Sequence, residues 1–457
     1  VLFVLNCKEV LGQADSSQYY SLDKVQLSGN KITKDYIILR ELDFGDQDSI
    51  LLRDLPYKMW RSEKNIFNTT LFHVVKLDFV LKDSNLFDLN IHVIERWYIW
   101  PLPILENADR NFNTWWETKK WDRLSYGLFL NWQNFRGRNE QLQVYLKTGF
   151  EQELGLDYVI PFVNRKKTIG LVFSSGYITN REVNYNSTGN KRNFFKDDNS
   201  ILKNEVYLLG RINYRWKLYG QFQFMMSYTR VNVADTLLSL APDYLQDAKN
   251  TNELMAMSLQ YKFDKRDYAA YPLKGNVFQV FAIKQGLAVF ENTLNILELE
   301  AVYHHHYALT HRWYGSHGIK GKHNVLDAPP YRFQRGFGYN NDFIRGYEYY
   351  VMDASDYVYL KNNLKYNLIK PKCKQVSWIK NDKFSTLTYA LYASAFFDVG
   401  YANDRLYASV NPLSNQWIYG YGVGFDFVTF YDIVTRLEFS RNAQNENGIY
   451  LHFKKSI

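Results

Sequence analysis

The sequence predicts an all-β transmembrane barrel of about 16 antiparallel strands, with one small α+β domain at its N-terminus. Three observations predict it: side-chain alternation of period two along most of the chain, a heavy load of aromatic residues, and no apolar run long enough for a membrane helix. The 457 residues include 37 Tyr, 31 Phe and 11 Trp, together 17%. Tyr and Trp favour the membrane–water boundary, and a barrel needs two belts of them. A helical span takes about 20 apolar residues, and no such run follows the first few residues. Mean hydropathy is only −0.39, as expected where each lipid-facing apolar residue alternates with a polar one facing the lumen.

Residues 1–14, "VLFVLNCKEVLGQA", read as the remnant of a signal peptide: Val1 to Leu5 end an apolar stretch, and Gly12-Gln13-Ala14 resembles a small-residue cleavage site. Residues 17–100 form the small domain. A short alternating run ends at Gly29-Asn30, and a helix follows with Thr33 as N-cap and Ile37, Ile38 and Leu42 on one side. Gly45-Asp46 ends that helix, and a second amphipathic stretch runs through Leu51, Leu52, Leu55 and Trp60. "FHVVKLDFVL" and "FDLNIHVIERW", joined by Lys82-Asp83-Ser84-Asn85, make a hairpin.

Residues 101–457 form the barrel, with the alternation established from about Asp109. In "RLSYGLFLNW", Leu124, Tyr126, Leu128, Leu130 and Trp132 oppose Ser125, Gly127 and Asn131. Met255, Met257, Leu259, Tyr261 and Phe263 oppose Ser258, Gln260, Lys262 and Asp264, and Leu391, Ala393, Ala395 and Phe397 share a face. Successive side chains of a strand point to opposite faces, so each run describes one apolar and one polar wall. The roughly 350 residues available hold about 16 strands at about 20 residues per strand and connection.

Four segments stand out. "FDKRDYAAYPLKGNVFQVF" reads as a hairpin in which Asp264 ends a strand, Arg266 follows, Pro272 sets the turn and Gly275 releases the chain into the next strand. "FIRGYE" places Arg345, Gly346 and Tyr347 in an Asn- and Tyr-rich loop. In "FFDVG", Phe396, Asp398 and Gly400 lie two apart and share a face, leaving Phe397 and Val399 for lipid. In "YGYGVGF", Gly420, Gly422 and Gly424 strip one face of side chains, which lets another segment lie close to the wall.

These features together resemble the BamA/TamA family of outer-membrane barrels. "LSGNKIT", "ILREL", the "GD" pair and "NIFNTTLFHVVKL" resemble its periplasmic POTRA module. Asp264, Arg266, Pro272 and Gly275 are similar to its "D-x-R…P-x-x-G" hairpin, "FIRGYE" to the "VRGF/Y" tip of its sixth outer loop, and "FFDVG" to its "F-x-D-x-G" strand. The resemblance implies that the loop folds back into the lumen and carries Arg345 inward. A buried guanidinium needs a carboxylate, best in bidentate geometry, and Asp398 is the expected partner. "ENGIYLHF", with Gly448, Ile449, Leu451 and Phe453, resembles the C-terminal signal strand of such barrels, although four residues follow Phe453 in this chain.

Composition excludes other classes. The net charge of +8 is scattered rather than clustered, which argues against nucleic acid. Cys7 and Cys373 have no disulfide or metal spacing; Cys7 is a candidate lipidation site and Cys373 sits in a turn-like "KPKCK". In a strand only His304 and His306 of "HHH" share a face, and with no third ligand the three read as interface aromatics. No hydrolase, nucleotide or dinucleotide motif appears, so no enzyme activity, cofactor or metal is expected.

The resemblance implies a barrel in the outer membrane of a Gram-negative cell, its POTRA domain in the periplasm. Its partners would be unfolded outer-membrane or secreted polypeptides, the lipid itself, and accessory periplasmic or lipoprotein subunits. Three readings stay open: assembly and insertion of polypeptides, with clients adding to the Leu71–Trp97 hairpin and to a seam between a first strand near Leu124–Trp132 and the last; a dedicated pore for one partner; and a plain channel.

Overall fold

The computed structural model describes residues 17–455 apart from 46–47, 83–84, 108–118, 120, 165, 218, 246–248, 269, 291–293, 326–328, 340–341, 376–385 and 430–432. The signal-like stretch 1–14, Cys7, Asp46, Asp83-Ser84 and the barrel start near Asp109 lie outside the described residues, as does the side chain of Cys373. The chain divides into two compact units. One joins Val1–Leu102 with Phe129–Val144 and Leu156–Leu171; the other joins Pro103–Leu128 with Tyr145–Gly155 and Val172–Ile457.

The first unit carries the small sheet. Its elements are β1 (Tyr19–Ser28), α1 (Asp35–Leu39), β2 (Ser49–Leu51), α2 (Leu55–Asn68), β3 (Phe72–Lys82) and β4 (Leu86–Glu95). The strand order is β2-β1-β4-β3, with β1 parallel to β4 and the other pairs antiparallel. Helix α2 buries Leu55, Met59, Ser62 and Ile66, one stripe at helical spacing. That stripe packs with Ile37, Ile38, Phe44, Phe87 and Leu89.

Several local expectations need correction. Lys34, extended and with no side-chain cap bond, occupies the N-cap position of α1. Thr33 spends its hydroxyl elsewhere: Oγ1 accepts from Asn134 Nδ2 at 2.8 Å and meets the Tyr98 hydroxyl at 3.2 Å. Helix α1 stops at Leu39, so Leu42 packs on the core from beyond it. Leu51 belongs to a short strand, and Trp60 faces solvent while Met59 takes the core position. Within this unit the Asn134–Asn139 turn is clasped by the small sheet's loops. Lys34 N–H donates to the Gly137 carbonyl at 2.9 Å and Gln133 N–H to that of Tyr98 at 2.7 Å. Gly137 has φ +72°, and a Cβ there would lie 2.0 Å from the Ile32 carbonyl oxygen.

The barrel strands begin with β5 (Ile99–Asn107), β6 (Leu124–Phe135), β7 (Glu140–Gly149), β8 (Glu151–Ile160) and β9 (Ile169–Asn180). A separate hairpin follows, β10 (Glu182–Thr188) with β11 (Lys191–Lys196). Then come β12 (Lys203–Trp216), β13 (Gly220–Val233), the short helix α3 (Asp235–Leu240), β14 (Thr251–Asp264), β15 (Gly275–Gln285), β16 (Ile296–Ala308) and β17 (Trp313–Asn324). The last are β18 (Asp356–Gln375), β19 (Thr386–Asn403), β20 (Trp417–Thr429), β21 (Ile433–Asn442) and β22 (Asn447–Lys455). All but β10 and β11 join one 16-stranded sheet in chain order, from β5 at one end to β22 at the other.

The expected first strand near Leu124–Trp132 is therefore the second, and Ile99–Asn107 precedes it. Cys373 lies within β18, opposite Thr388 of β19, rather than in a turn. The wall alternates as a barrel wall must. On β20, Trp417, Tyr419, Tyr421, Val423, Phe425 and Phe427 are exposed outward while Ile418, Gly420, Gly424 and Asp426 are buried.

Replacing Phe87, wholly buried and edge-on to Phe44, tests the independence of the small core. Phe87→Ala is expected to cost about 3–5 kcal/mol and to open residues 17–95 to protease, while the barrel keeps its heat-resistant migration on gels.

Candidate functional site

The segment between β17 and β18 passes through the barrel interior. Among its described residues, Ile344, Arg345, Tyr347, Glu348, Val351, Met352, Asp353 and Ala354 are all buried. Tyr339 and Asp342 form an isolated bridge, and Tyr347 N–H donates to the Ile344 carbonyl at 3.0 Å, closing a tight turn around Arg345-Gly346. Gly346 has φ +93°, a conformation that a side chain would strain, and Asn442 Nδ2 donates to its carbonyl at 2.9 Å.

Arg345 is 4% exposed and Asp398 is 0% exposed, so their charges must satisfy one another. Nε donates to Asp398 Oδ2 at 2.6 Å, and Nη2 donates to Oδ1 at 2.5 Å, a bidentate pair. Nη1 reaches Asn363 Oδ1 at 2.7 Å and Glu438 Oε1 at 3.4 Å; Nη2 also reaches the Asn362 carbonyl at 3.4 Å. Every N–H of the guanidinium thus meets an acceptor. The Phe396 ring lies beneath it, 3.8 Å from guanidinium carbon to ring centroid.

The sheet is shaped to admit this tip. Pleat parity turns Phe396, Asp398 and Gly400 inward from β19. A Cβ on Gly400 would lie 2.9 Å from both Ile344 and Phe337. On β20, a Cβ at Gly420 would lie 1.8 Å from the Arg345 carbonyl oxygen. At Gly422 it would lie 2.8 Å from the Phe396 ring, and at Gly424 2.9 Å from Glu438 Cγ. The three glycines therefore make room, in turn, for the loop backbone, the stacking ring and the second carboxylate. Tyr347 accepts a bond from Ala443 N–H at 3.2 Å and packs with Phe337, Ile344, Met352, Tyr357 and Tyr359.

The hairpin residues Asp264, Arg266, Pro272 and Gly275 close a different turn. Arg266 clamps Asp264 at 2.8 and 2.6 Å, and a Cβ on Gly275, at φ +96°, would lie 2.1 Å from the Lys265 carbonyl oxygen. One consequence has no signal in the sequence: the turn drives Tyr271 into the interior. Its hydroxyl donates to Asp426 Oδ2 at 2.6 Å, its ring lies tilted against Tyr392 with centroids 4.9 Å apart, and Lys365 Nζ sits 3.9 Å above it. Burial pushes the Tyr271 phenol well above its ordinary range, so it remains a donor. In β22, Ile449 and Phe453 point outward, Leu451 shares their parity, and Gly448 clears space for the Tyr450 ring. The strand continues through Lys454 and Lys455 beyond Phe453.

A second set of contacts, equally silent in the sequence, covers the loop end of the barrel. Val183 of the β10–β11 hairpin, Leu202, Leu237 of α3, Tyr244, Leu245 and Tyr331 form one apolar cluster. Asn190, fully buried, ties three segments together. Its Nδ2 donates to the Val351 carbonyl at 3.0 Å, its N–H to Asn411 Oδ1 at 2.8 Å, and its Oδ1 accepts from Leu413 N–H at 2.8 Å. Ser187 and Tyr339 both donate to Asp353. Burial raises the Asp353 carboxyl and the Tyr339 phenol alike. The three consecutive histidines split as a strand requires, His304 and His306 inward and His305 outward between Tyr303 and Tyr307.

The Omp85 superfamily domain matches residues 134–429. The chain belongs to the Omp85 superfamily. Structures of similar fold include BamA from Haemophilus ducreyi lacking POTRA domains 1–3, at 11% identity and TM-score 0.64, covering 96% of this chain and 84% of that one. CdiB from Escherichia coli matches at 9% identity and TM-score 0.55, covering 95% and 76%. CdiB from Acinetobacter baumannii matches at 10% and 0.53, covering 96% and 74%. The sequence matches no curated protein. This Omp85 chain is thus an outer-membrane β-barrel with a POTRA-like N-terminal sheet, and its superfamily is one of membrane assembly and transport proteins rather than enzymes.

Removing either side of the buried pair, by Arg345→Ala or Asp398→Ala, is expected to cost about 3–5 kcal/mol and to lower the temperature of barrel unfolding on heat-modifiability gels. The double variant should lose little more than either single one. Additive losses would show that the two side chains do not act together.

Proposed function

We propose that this Omp85 chain assembles and inserts unfolded outer-membrane polypeptides, with its POTRA-like domain in the periplasm. The observation that carries the reading is the packing of the loop segments at one end of the barrel. The Arg345 tip, the Asn190 network and the apolar cluster around Tyr331 are packed and bonded where a polypeptide crossing the barrel would have to displace them. A plain diffusion channel fits that filling poorly. The client's route is along the wall instead.

Two edges suit such a route. In the small sheet, β3 is an 11-residue strand at one end of the order, on which an extended polypeptide adds by β-augmentation. In the barrel, β5 contains Pro101 and Pro103. Residues two apart direct their backbone nitrogens to the same edge of a strand, and proline has no N–H to donate. Prolines are tolerated on the side turned away from a paired neighbour. With β6 as its neighbour in the sheet order, the donor-poor edge of β5 is the unpaired end of that order. A closure short of two donors is easier to part, and exposed backbone groups in lipid take up a client strand.

With Cys7 and Cys373 replaced by serine, a disulfide linking β5 to β22 is expected to abolish folding of an added barrel protein into proteoliposomes, and reductant to restore it. Full activity in the crosslinked state would contradict the lateral route. Export of one polypeptide across sealed vesicles, with no barrel folded into them, would identify the chain as a dedicated pore.

A further inference from the structure

Beside the Arg345 pin, three residues far apart in the chain converge: Glu348 from the loop, Glu438 from β21 and His452 from β22. One ligand-type atom from each lies within 4.8 Å of the other two. His452 Nε2 is 3.5 Å from Glu348 Oε1 and 3.4 Å from Glu438 Oε2. Around a tetrahedral ion with bonds of about 2.0–2.1 Å, neighbouring donor atoms are about 3.3–3.4 Å apart. The two distances from His452 approximate that edge, and the third lies within 4.8 Å.

Two of these ligand atoms have only the long ion-pair contacts just given, and all three groups are oriented. Neither His452 Nε2 nor Glu438 Oε2 has a hydrogen-bond partner among the described residues, although Glu438 is only 1% exposed. A buried carboxylate oxygen without a bond is costly, and it asks for a cation. The neighbouring guanidiniums approach the other oxygen: Arg345 at 3.4 Å and Arg436 at 3.7 Å from Oε1. Each is committed to its own aspartate, Arg345 to Asp398 and Arg436 to Asp426. Gly346 N–H donates to Glu348 Oε2 at 2.8 Å, which turns Oε1 towards His452. The His452 ring stacks on Phe343 with centroids 5.5 Å apart, fixing its plane. Such outer contacts orient ligands before a metal arrives.

We propose that Glu348, Glu438 and His452 form a site for a divalent transition-metal ion of the zinc class, with a fourth position open to water. One imidazole and two carboxylates match the ligand preferences of such an ion. The bound ion would join the lumenal loop to the last two strands, so that movement of β22 is felt at the Arg345 tip. The site stands apart from the insertion reading, and its failure would leave that reading untouched.

The test uses the purified full chain in detergent micelles, stripped with chelator and titrated with Co2+ as a spectroscopic probe. One equivalent should give the visible absorption of four-coordinate Co2+, displaced by Zn2+. Chelator should lower the unfolding temperature of the unaltered protein. His452→Ala should weaken binding by about 100-fold, the upper end of what losing even a supporting group costs, and remove the chelator effect, while His305→Ala on the outer face should change neither. Where His452→Ala fails to migrate as a folded barrel, Glu348→Gln is read in the same way. No stoichiometric uptake, or affinity unchanged in a folded variant, would overturn the site. An unfolding temperature that depends on His452 without any metal uptake would also overturn it, leaving a charged histidine bridging two carboxylates.

Discussion

A guanidinium carried into the interior of a membrane barrel constrains everything around it. Stripping that charge of water costs several kcal/mol unless its donors are met, and Arg345 meets all of them on the inner wall. The demand propagates outward. Asp398 must face inward, which sets the pleat of β19 and sends Phe397 to lipid. The loop backbone must come close enough for a short side chain to receive it, so β20 carries glycine where the Arg345 carbonyl lies. Phe396 supplies a flat surface to hold the guanidinium plane, and Gly422 makes room for Phe396.

The interior is consequently filled from two directions. One is the loop tip with its apolar companions Ile344, Tyr347 and Met352. The other is the turn between β14 and β15, whose Tyr271 joins Asp426, Tyr392 and Lys365. Between them the inner wall carries paired charges, Arg345 with Asp398 and Arg436 with Asp426. Low-dielectric surroundings strengthen such pairs and make each hard to break alone. Such bracing would hold the wall while one seam opens, as the insertion mechanism proposed above requires.

Much of the architecture was legible because a strand writes its two faces into alternate residues. The shared face of Phe396, Asp398 and Gly400 follows from that period alone. Features without a period were hidden. Pro101 and Pro103 disguise β5, since prolines argue against a strand unless it lies at an edge. Strand β2 is three residues long, too short to show alternation. In α2 the buried stripe contains Ser62, whose hydroxyl donates to the Lys58 carbonyl and accepts from Asp43 N–H, so Trp60 looked the better core residue. Asn190 and the Glu348–Glu438–His452 group depend on residues drawn together from distant strands and loops. Nothing in the neighbourhood of any one of them announces the others.

Amide hydrogen exchange across residues 342–354 of the micelle-embedded protein addresses the central claim most directly. With the loop pinned inside the barrel, the amides of Arg345, Gly346 and Tyr347, bonded to Asp398, Glu348 and Ile344, exchange as slowly as those of the wall strands and become fast in Asp398→Asn. Exchange within seconds in the unaltered protein would mean that the loop is not held inside, and would contradict the claim.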